Sequence, residues 1–296
     1  MQALIDGDIL VYSCGFAAQK NVHRIFIKGE EEYGYIASFN YKKQLNEYME
    51  LHGLEEQDVD IETSVEVEPL ENCLHSVKQT LNSILEETQA DSYRIFLTGE
   101  GNFREQIATI AVYKGNRDPD HKPHWYREIK DYLINVWSAE VVDGQEADDA
   151  MGIAQGKDYW WTYAQGYHQP FGTTICSVDK DMRMIPGWHY NIKTGVKDFV
   201  TEEQGLRTFY LQLLMGDSTD NIIGIPGIGK KKAERILEGL TTEEGMYWAC
   251  FSAYEDAFCN DTEIAPTEMS VEDILIENAR LLWIRRKPEE MWEPPI

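Results

Sequence analysis

Apolar residues along the chain fall into short β-type runs that stop at acidic corners, three of them glycine-bearing, alternating with stretches of helical spacing. Leu4 and Ile5 run into Asp6-Gly7-Asp8 and a second apolar segment over 9–12; Ile95, Phe96 and Leu97 lead to Gly99-Glu100-Gly101. Val141 and Val142 lead to Asp143-Gly144, and Ile175, Cys176 and Val178 to Asp179-Lys180-Asp181. Residues 40–52, 70–90, 201–215, 243–260 and 270–286 carry helical spacing, as does the stretch from Ala147 onward. Residues 20–39 alternate and predict a hairpin, 189–192 and 196–200 predict another around Thr194-Gly195, and the acidic segment 53–68 predicts a loop or an edge. The stretch 157–171 is aromatic and poorly patterned. Strands alternating with helices predict an α/β fold, with a soft boundary near Gly205.

With 296 residues the chain can bury a proper core. It has no apolar run of about 18 residues, so no membrane span is expected. The start, Met1-Gln2-Ala3-Leu4, passes almost directly into a strand without signal-peptide features, which predicts a cytoplasmic protein. Five scattered cysteines with no C-x-x-C pair read as free thiols, mostly in the core, and His121 and His124 as loop residues. A net charge of −25 argues at first against a polyanionic partner. Two local features oppose that. One is the basic and aromatic stretch of Tyr113, Lys114, Arg117, Lys122, Trp125, Tyr126, Arg127 and Lys130, which suits phosphate contact with base stacking, or else a solvated face. The other is Gly227-Ile228-Gly229 followed by Lys230, Lys231 and Lys232, where backbone amides and lysines can meet a phosphate. The spacing of a Walker A loop is absent, so nucleotide-driven work is not expected.

Glu146, Asp148 and Asp149 open the helix after the third corner. On a helix Glu146 and Asp149 lie about 60° apart, so two or three carboxylates can face one point, although acids also favour a first turn for capping alone. The recurrence of acids changes the balance: Asp6 and Asp8, Glu100, the Glu146 group, Asp179 and Asp181 follow four strands, and Asp217 and Asp220 occupy a later turn. If the strands are parallel neighbours, these acids converge on one sheet edge. Two like charges about 5 Å apart repel by about 3 kcal/mol at an effective dielectric near 20, so such a cluster calls for cations. Oxygen donors alone point to Mg²⁺ or Mn²⁺, and paired ions of this kind hydrolyse phosphodiesters.

In their order along the chain, Leu4-Ile5-Asp6-Gly7-Asp8, Tyr113-Lys114-Gly115-Asn116-Arg117, Gly144-Gln145-Glu146-Ala147-Asp148-Asp149, Ser177-Val178-Asp179-Lys180-Asp181 and Met215-Gly216-Asp217-Ser218-Thr219-Asp220-Asn221 with the Gly-Ile-Pro-Gly-Ile-Gly-Lys stretch resemble the 5′-nuclease family. That family comprises flap endonucleases and bacteriophage 5′–3′ exonucleases, and the likeness is strongest to free-standing exonucleases of podovirus type. The resemblance implies a PIN-like α/β nuclease domain with a mainly parallel central sheet over 1–205, with a helical arch or clamp at about 104–135. A helical domain with a helix-hairpin-helix would follow over 206–296. It implies Asp6, Asp148, Asp149, Asp179 and Asp181 as metal ligands, Glu146 as a ligand or holder of metal-bound water, and Asp217 and Asp220 completing a second site. Where the family has an Asp after the second strand this chain has Glu100, which would reach in or act through water. Lys114 and Arg117 would contact the scissile phosphate, and Gly227, Gly229, Lys230, Lys231 and Lys232 the duplex backbone, with K⁺ in the hairpin. The implied function is a two-ion Mg²⁺ or Mn²⁺ 5′–3′ exonuclease and flap endonuclease in DNA replication or related DNA processing. It would act on duplex or branched DNA with 5′ ends and on RNA–DNA hybrids, as a monomer, in the host bacterial cytoplasm if phage-encoded. A PIN-type ribonuclease and a non-catalytic, structure-specific DNA-binding protein are the alternatives.

Overall fold

The computed structural model describes residues 1–28, 34–164, 172–258 and 269–295, without the side chains of 159–164. Cys259 and residues 165–171 of the aromatic stretch thus lie outside the described residues. In chain order the elements are β1 Gln2–Asp6, α1 Gly7–Ala17, β2 Gln19–Ile27, β3 Tyr35–Phe39, α2 Lys42–His52, β4 Val59–Val67 and α3 Leu70–Thr88. Then come β5 Ser92–Thr98, α4 Phe103–Ile107, α5 Tyr126–Trp137, β6 Glu140–Val142, α6 Ala147–Ala164 and β7 Thr173–Ser177. A 3-10 turn Asp181–Met184 leads to β8 Gly187–Asn191, β9 Lys197–Val200 and α7 Glu202–Met215. The two-residue strands β10 Gly216–Asp217 and β11 Ile222–Ile223 precede α8 Lys230–Ile236, α9 Glu243–Phe258 and α10 Val271–Leu282.

The central sheet has the order β6-β5-β1-β7-β8-β9, parallel throughout except for the β8–β9 hairpin. β1 and β7 are buried almost without interruption, as strands covered on both faces are, and this burial takes in the polar Thr173, Thr174 and Ser177 of β7 along with Ile175 and Cys176. The chain moves outward from β1 to β5 and β6, then returns to the opposite side of β1 for β7. Strand order therefore reverses between β1 and β7, and the crevice beyond the carboxyl ends at such a reversal is where open α/β sheets hold ligands.

The chain forms two compact units, and they divide it differently from the boundary expected near Gly205. One unit comprises Met1–Ile9, Leu81–His121 and Leu133–Ile296; the other comprises Leu10–Thr80 and Lys122–Tyr132. Helices after residue 205 do not stand apart from the sheet because they share its core: Leu4, Phe96 and Ile175 belong to one buried cluster with Phe209, Leu213, Tyr254 and Trp283. Capping boxes start two of these helices, Thr201 with Gln204 at α7 and Ser270 with Asp273 at α10. In the second unit β3-β2-β4 form an antiparallel sheet, in which the expected hairpin is β2–β3 and the acidic segment 53–68 supplies the edge strand β4. Ile25, Leu45, Met49 and Val59 make its core. The apolar segment 9–12 lies in α1. Among the described residues no helix is long and apolar enough to cross a membrane.

His189 on β8 is buried, and its Nε2 lies 2.7 Å from the Ile185 carbonyl. Burial, aided by the Arg183 charge, holds its pKa down at about 4. The unfolded chain therefore binds a proton that the folded chain refuses between the ordinary histidine value of about 6.5 and the folded value. This residue's contribution is fully present above that range and declines as pH falls through it, by up to about 3 kcal/mol. Thermal melts of His189→Gln should show a shallower loss of stability between about pH 6.5 and 4 than the parent; parallel curves would contradict the assignment.

Candidate functional site

The carboxyl ends of β1 and β7 meet through one hydrogen-bond chain. Asp6, 3% exposed, accepts from the Ile9 amide (3.0 Å) at Oδ1 and from the Ser177 hydroxyl (2.8 Å) at Oδ2. Ser177 Oγ accepts from the Asp179 amide (3.0 Å), and Asp179 Oδ1 accepts from the Asp181 amide (2.8 Å). Asp181 also receives the Gln212 side-chain N–H from α7 (2.5 Å) and is hydrogen-bonded with Asp217. Asp217 is placed by the β10–β11 ladder, whose tight closure needs glycine: a Cβ on Gly216 would come within 2.2 Å of the Gly224 nitrogen. Asp148, in the first turn of α6, feels Asp6, Asp179, Glu146 and Asp149.

Burial raises the pKa of Asp6 to about 7, with Asp8 and Asp179 adding to it. Burial raises Asp181 likewise to about 7, helped by Asp179 and Asp217, and it holds Asp148 well above the usual carboxylate range, helped by Asp6 and Asp179. These acids resist ionising together, which is the condition that a bound dication relieves. Among the described residues no group of three or more His, Cys, Asp or Glu side chains is placed to hold a metal ion by itself. A closed cage is not what Mg²⁺ requires, since it keeps several waters and takes one or two carboxylates. The all-oxygen donor set of Asp6, Asp148, Asp179, Asp181 and Asp217 fits a hydrated hard dication.

Asp149 is placed differently from the expectation. It is fully buried, and both its oxygens accept from Arg104, Oδ2 from Nη1 at 2.6 Å and Oδ1 from Nη2 at 2.9 Å. The amides of Glu146 (3.2 Å) and Arg285 (3.1 Å) add two more bonds. Arg104 in turn donates to the carbonyls of Leu281 (2.8 Å) and Trp283 (2.7 Å). A carboxylate so occupied anchors the start of α6 and has no oxygen free for an ion. Glu100 also stays out of the cluster: it is exposed, and the ordered feature at its turn is its amide donating to Asp143 Oδ1 (2.8 Å).

Glu146 and Asp220 form a second group with the basic loop. Lys114 Nζ is bonded to Glu146 and lies 3.8 Å from Asp220, and Arg117 is bonded to Asp220. The Tyr113 hydroxyl lies 2.9 Å from Asp220 Oδ2 and 3.1 Å from Glu146 Oε2. Asp220 is thus paired with cations of the loop. Lys114 takes a left-handed backbone, φ 55°, with its amide donating to the Asp220 carbonyl (2.9 Å), a strained conformation of the kind that collects at functional sites. Glu277 on α10 fixes the approach to this loop by accepting from the amides of Thr109 (2.7 Å) and Ile110 (2.8 Å) and from the Thr109 hydroxyl.

Lys230, Lys231 and Lys232 are exposed at the start of α8. Gly227 has φ 76°, and no heavy atom lies within 4 Å of a Cβ built on Gly227 or Gly229, so the backbone there is open to a close approach. Arg104, Ser177, Gln212 and Glu277 were not legible in the sequence. Their partners are 45 residues away for Arg104 and 31 for Gln212, and only the fold brings them together.

Removing the Asp149 carboxylate leaves a buried guanidinium without its partner, so Asp149→Ala should cost about 3–5 kcal/mol of stability. Asp148→Asn removes one member of a repelling set and should leave metal-free stability equal or higher. Denaturant unfolding of both variants without metal checks this, and equal losses would contradict the different roles.

No family model matches the chain. It is homologous to DNA polymerase I of Geobacillus stearothermophilus, 27% identical over 244 residues, covering 69% of this chain and 26% of the relative. It is also homologous to a 5′-3′ exonuclease of Buchnera aphidicola, 30% identical over 170 residues, covering 52% of this chain and 51% of the relative. The chain therefore spans about a quarter of the first relative's length and about half of the second's. Its fold matches the T5 D15 protein crystallised with metal ions, with a TM-score of 0.51 at 15% identity over 95% of this chain and 88% of that one. The bacteriophage T5 flap endonuclease variant solved with DNA and metal ions matches with a TM-score of 0.50 at 15% identity, over 95% and 88% of the two chains.

Proposed function

We infer, from homology to DNA polymerase I and to a 5′-3′ exonuclease and from a fold shared with the T5 flap endonuclease, that the chain is a divalent-metal-dependent 5′-nuclease. It hydrolyses DNA phosphodiesters as a 5′–3′ exonuclease and at flapped 5′ ends, with Mg²⁺ or Mn²⁺ as cofactor. The observation that carries this is the switch-point cluster: Asp6, Asp148 and Asp181 are all held above the usual carboxylate range by burial and by neighbouring acids. A protein tolerates such a cluster where cations and an anionic substrate are to meet.

Asp6 and Asp148 would hold one hydrated ion, with Asp179 acting through a bound water, and Asp181 with Asp217 a second. When bound, the ions lower the pKa of water and stabilise the charge that develops on the phosphate. Ser177 keeps the Asp6 carboxylate oriented, and Arg104 with Asp149 fixes the helix start that carries Asp148. Glu146 and Asp220 hold Lys114 and Arg117 in ion pairs that a substrate phosphate would exchange for a better partner. Lys230, Lys231 and Lys232 beside the open Gly227 and Gly229 backbone would grip the duplex, with K⁺ in that hairpin. The ions address phosphate and not sugar, which extends the reading to RNA–DNA hybrids. The four described cysteines are free and buried, which suits a reducing cytoplasm.

The test uses 5′-labelled and 3′-labelled duplex, flap and hybrid substrates with Mg²⁺ or with EDTA. Short 5′ products that require Mg²⁺ are expected; cleavage confined to RNA, or binding without cleavage, would overturn the reading. Asp148→Asn should lower cleavage by at least about 100-fold while duplex affinity changes little. Lys230→Glu should weaken duplex binding and flatten its salt dependence, and an unchanged slope would remove the hairpin from the interface.

A further inference from the structure

Gln212 stands on α7 with 5% of its surface exposed, and its side-chain nitrogen donates to Asp181 Oδ1 at 2.5 Å. Its carbonyl oxygen Oε1 is buried and has no hydrogen-bond partner. A buried amide that satisfies one end and leaves the other without a partner is uncommon and calls for a missing group. Exchanging the two ends does not help, because the buried group left without a partner would then be the amide N–H. The free acceptor belongs to the same amide that donates to Asp181, which is itself hydrogen-bonded with Asp217.

We propose that Gln212 is a positioning residue of the second ion site: its N–H fixes Asp181, and its Oε1 accepts a hydrogen from water on the ion held by Asp181 and Asp217. This rests on the reading of the cluster as a metal site. A neutral amide suits the position better than either charge. It donates to a carboxylate that must remain a ligand, and it accepts from coordinated water without adding to a repelling set of acids. Its place on α7, five residues before Asp217, lets one helix set the donor to Asp181 and the ligand that follows. Hydrogen-bonding partners of ligands of this kind change metal affinity by about 10–100-fold when removed.

The test is calorimetric titration of the full chain with Mn²⁺ in the absence of DNA, together with the metal-free melting temperature. Gln212→Met keeps the length and volume but removes both polar atoms, and it should weaken one ion-binding event by at least about 10-fold without lowering the metal-free melting temperature. In an Asp181→Asn background Gln212→Met should have no further effect on ion affinity. Parent-like affinity in Gln212→Met, or a loss that merely follows a fall in melting temperature, would overturn the proposal. If the parent protein itself bound no Mn²⁺, the metal site and the proposed nuclease would fail together; parent binding with Gln212→Met unchanged would remove Gln212 alone.

Discussion

The repulsion among Asp6, Asp148, Asp179 and Asp181 is the constraint around which the rest of the molecule is arranged. Four acids brought to one strand reversal would drive the local structure apart unless the backbone held them there. The hold is covalent and topological first: β1 and β7 are neighbours in the sheet, so their carboxyl ends cannot separate without breaking a buried ladder. Hydrogen bonds then choose the rotamers, as Ser177 does for Asp6 and Gln212 for Asp181. The unfavourable electrostatics are sustained by core packing, which is how strained or charged sites persist in otherwise consistent folds.

Arg104 plays the opposite electrostatic part. It is 2% exposed and paired with the buried Asp149, and through the carbonyls of Leu281 and Trp283 it ties the segment after α10 to the start of α6. Glu277 does the same for the segment that leads to Lys114 and Arg117. Residues after 270, which carry no recognisable motif, thus brace both the acidic and the basic halves of the site. This also explains why the compact unit does not end near Gly205: the later helices hold the site in place from the same core.

Much of the fold was legible because its signals are local. Apolar runs ending in acidic corners marked four of the parallel strands, and the helical spacing over 201–215 marked α7. Asp6, Asp148, Asp179 and Asp181 were legible because each follows a strand or opens the next helix, positions that a sheet edge must collect. Asp149 shows the limit. In sequence it is indistinguishable from Asp148, yet one helical position, about 100°, turns it from the cluster toward Arg104. Glu100 fails for a similar reason, since a strand-end acid points into the site only if its turn aims it there. The pairing of Lys114 and Arg117 with Glu146 and Asp220 joins separate segments across more than 30 residues, a relation that spacing does not encode.

The most direct measurement of the central claim is the proton balance of divalent-ion binding. Asp6 and Asp181 each have a pKa raised to about 7, so near neutral pH they are partly protonated and an ion must displace those protons. Mg²⁺ or Mn²⁺ titrated into the protein near pH 7, in two buffers of different ionisation enthalpy, should show proton release that shrinks as pH is raised well above the folded pKa values. Ion binding with no proton release near neutral pH, or no ion binding at all, would contradict the reading of these acids as a repelling cluster that awaits a cation.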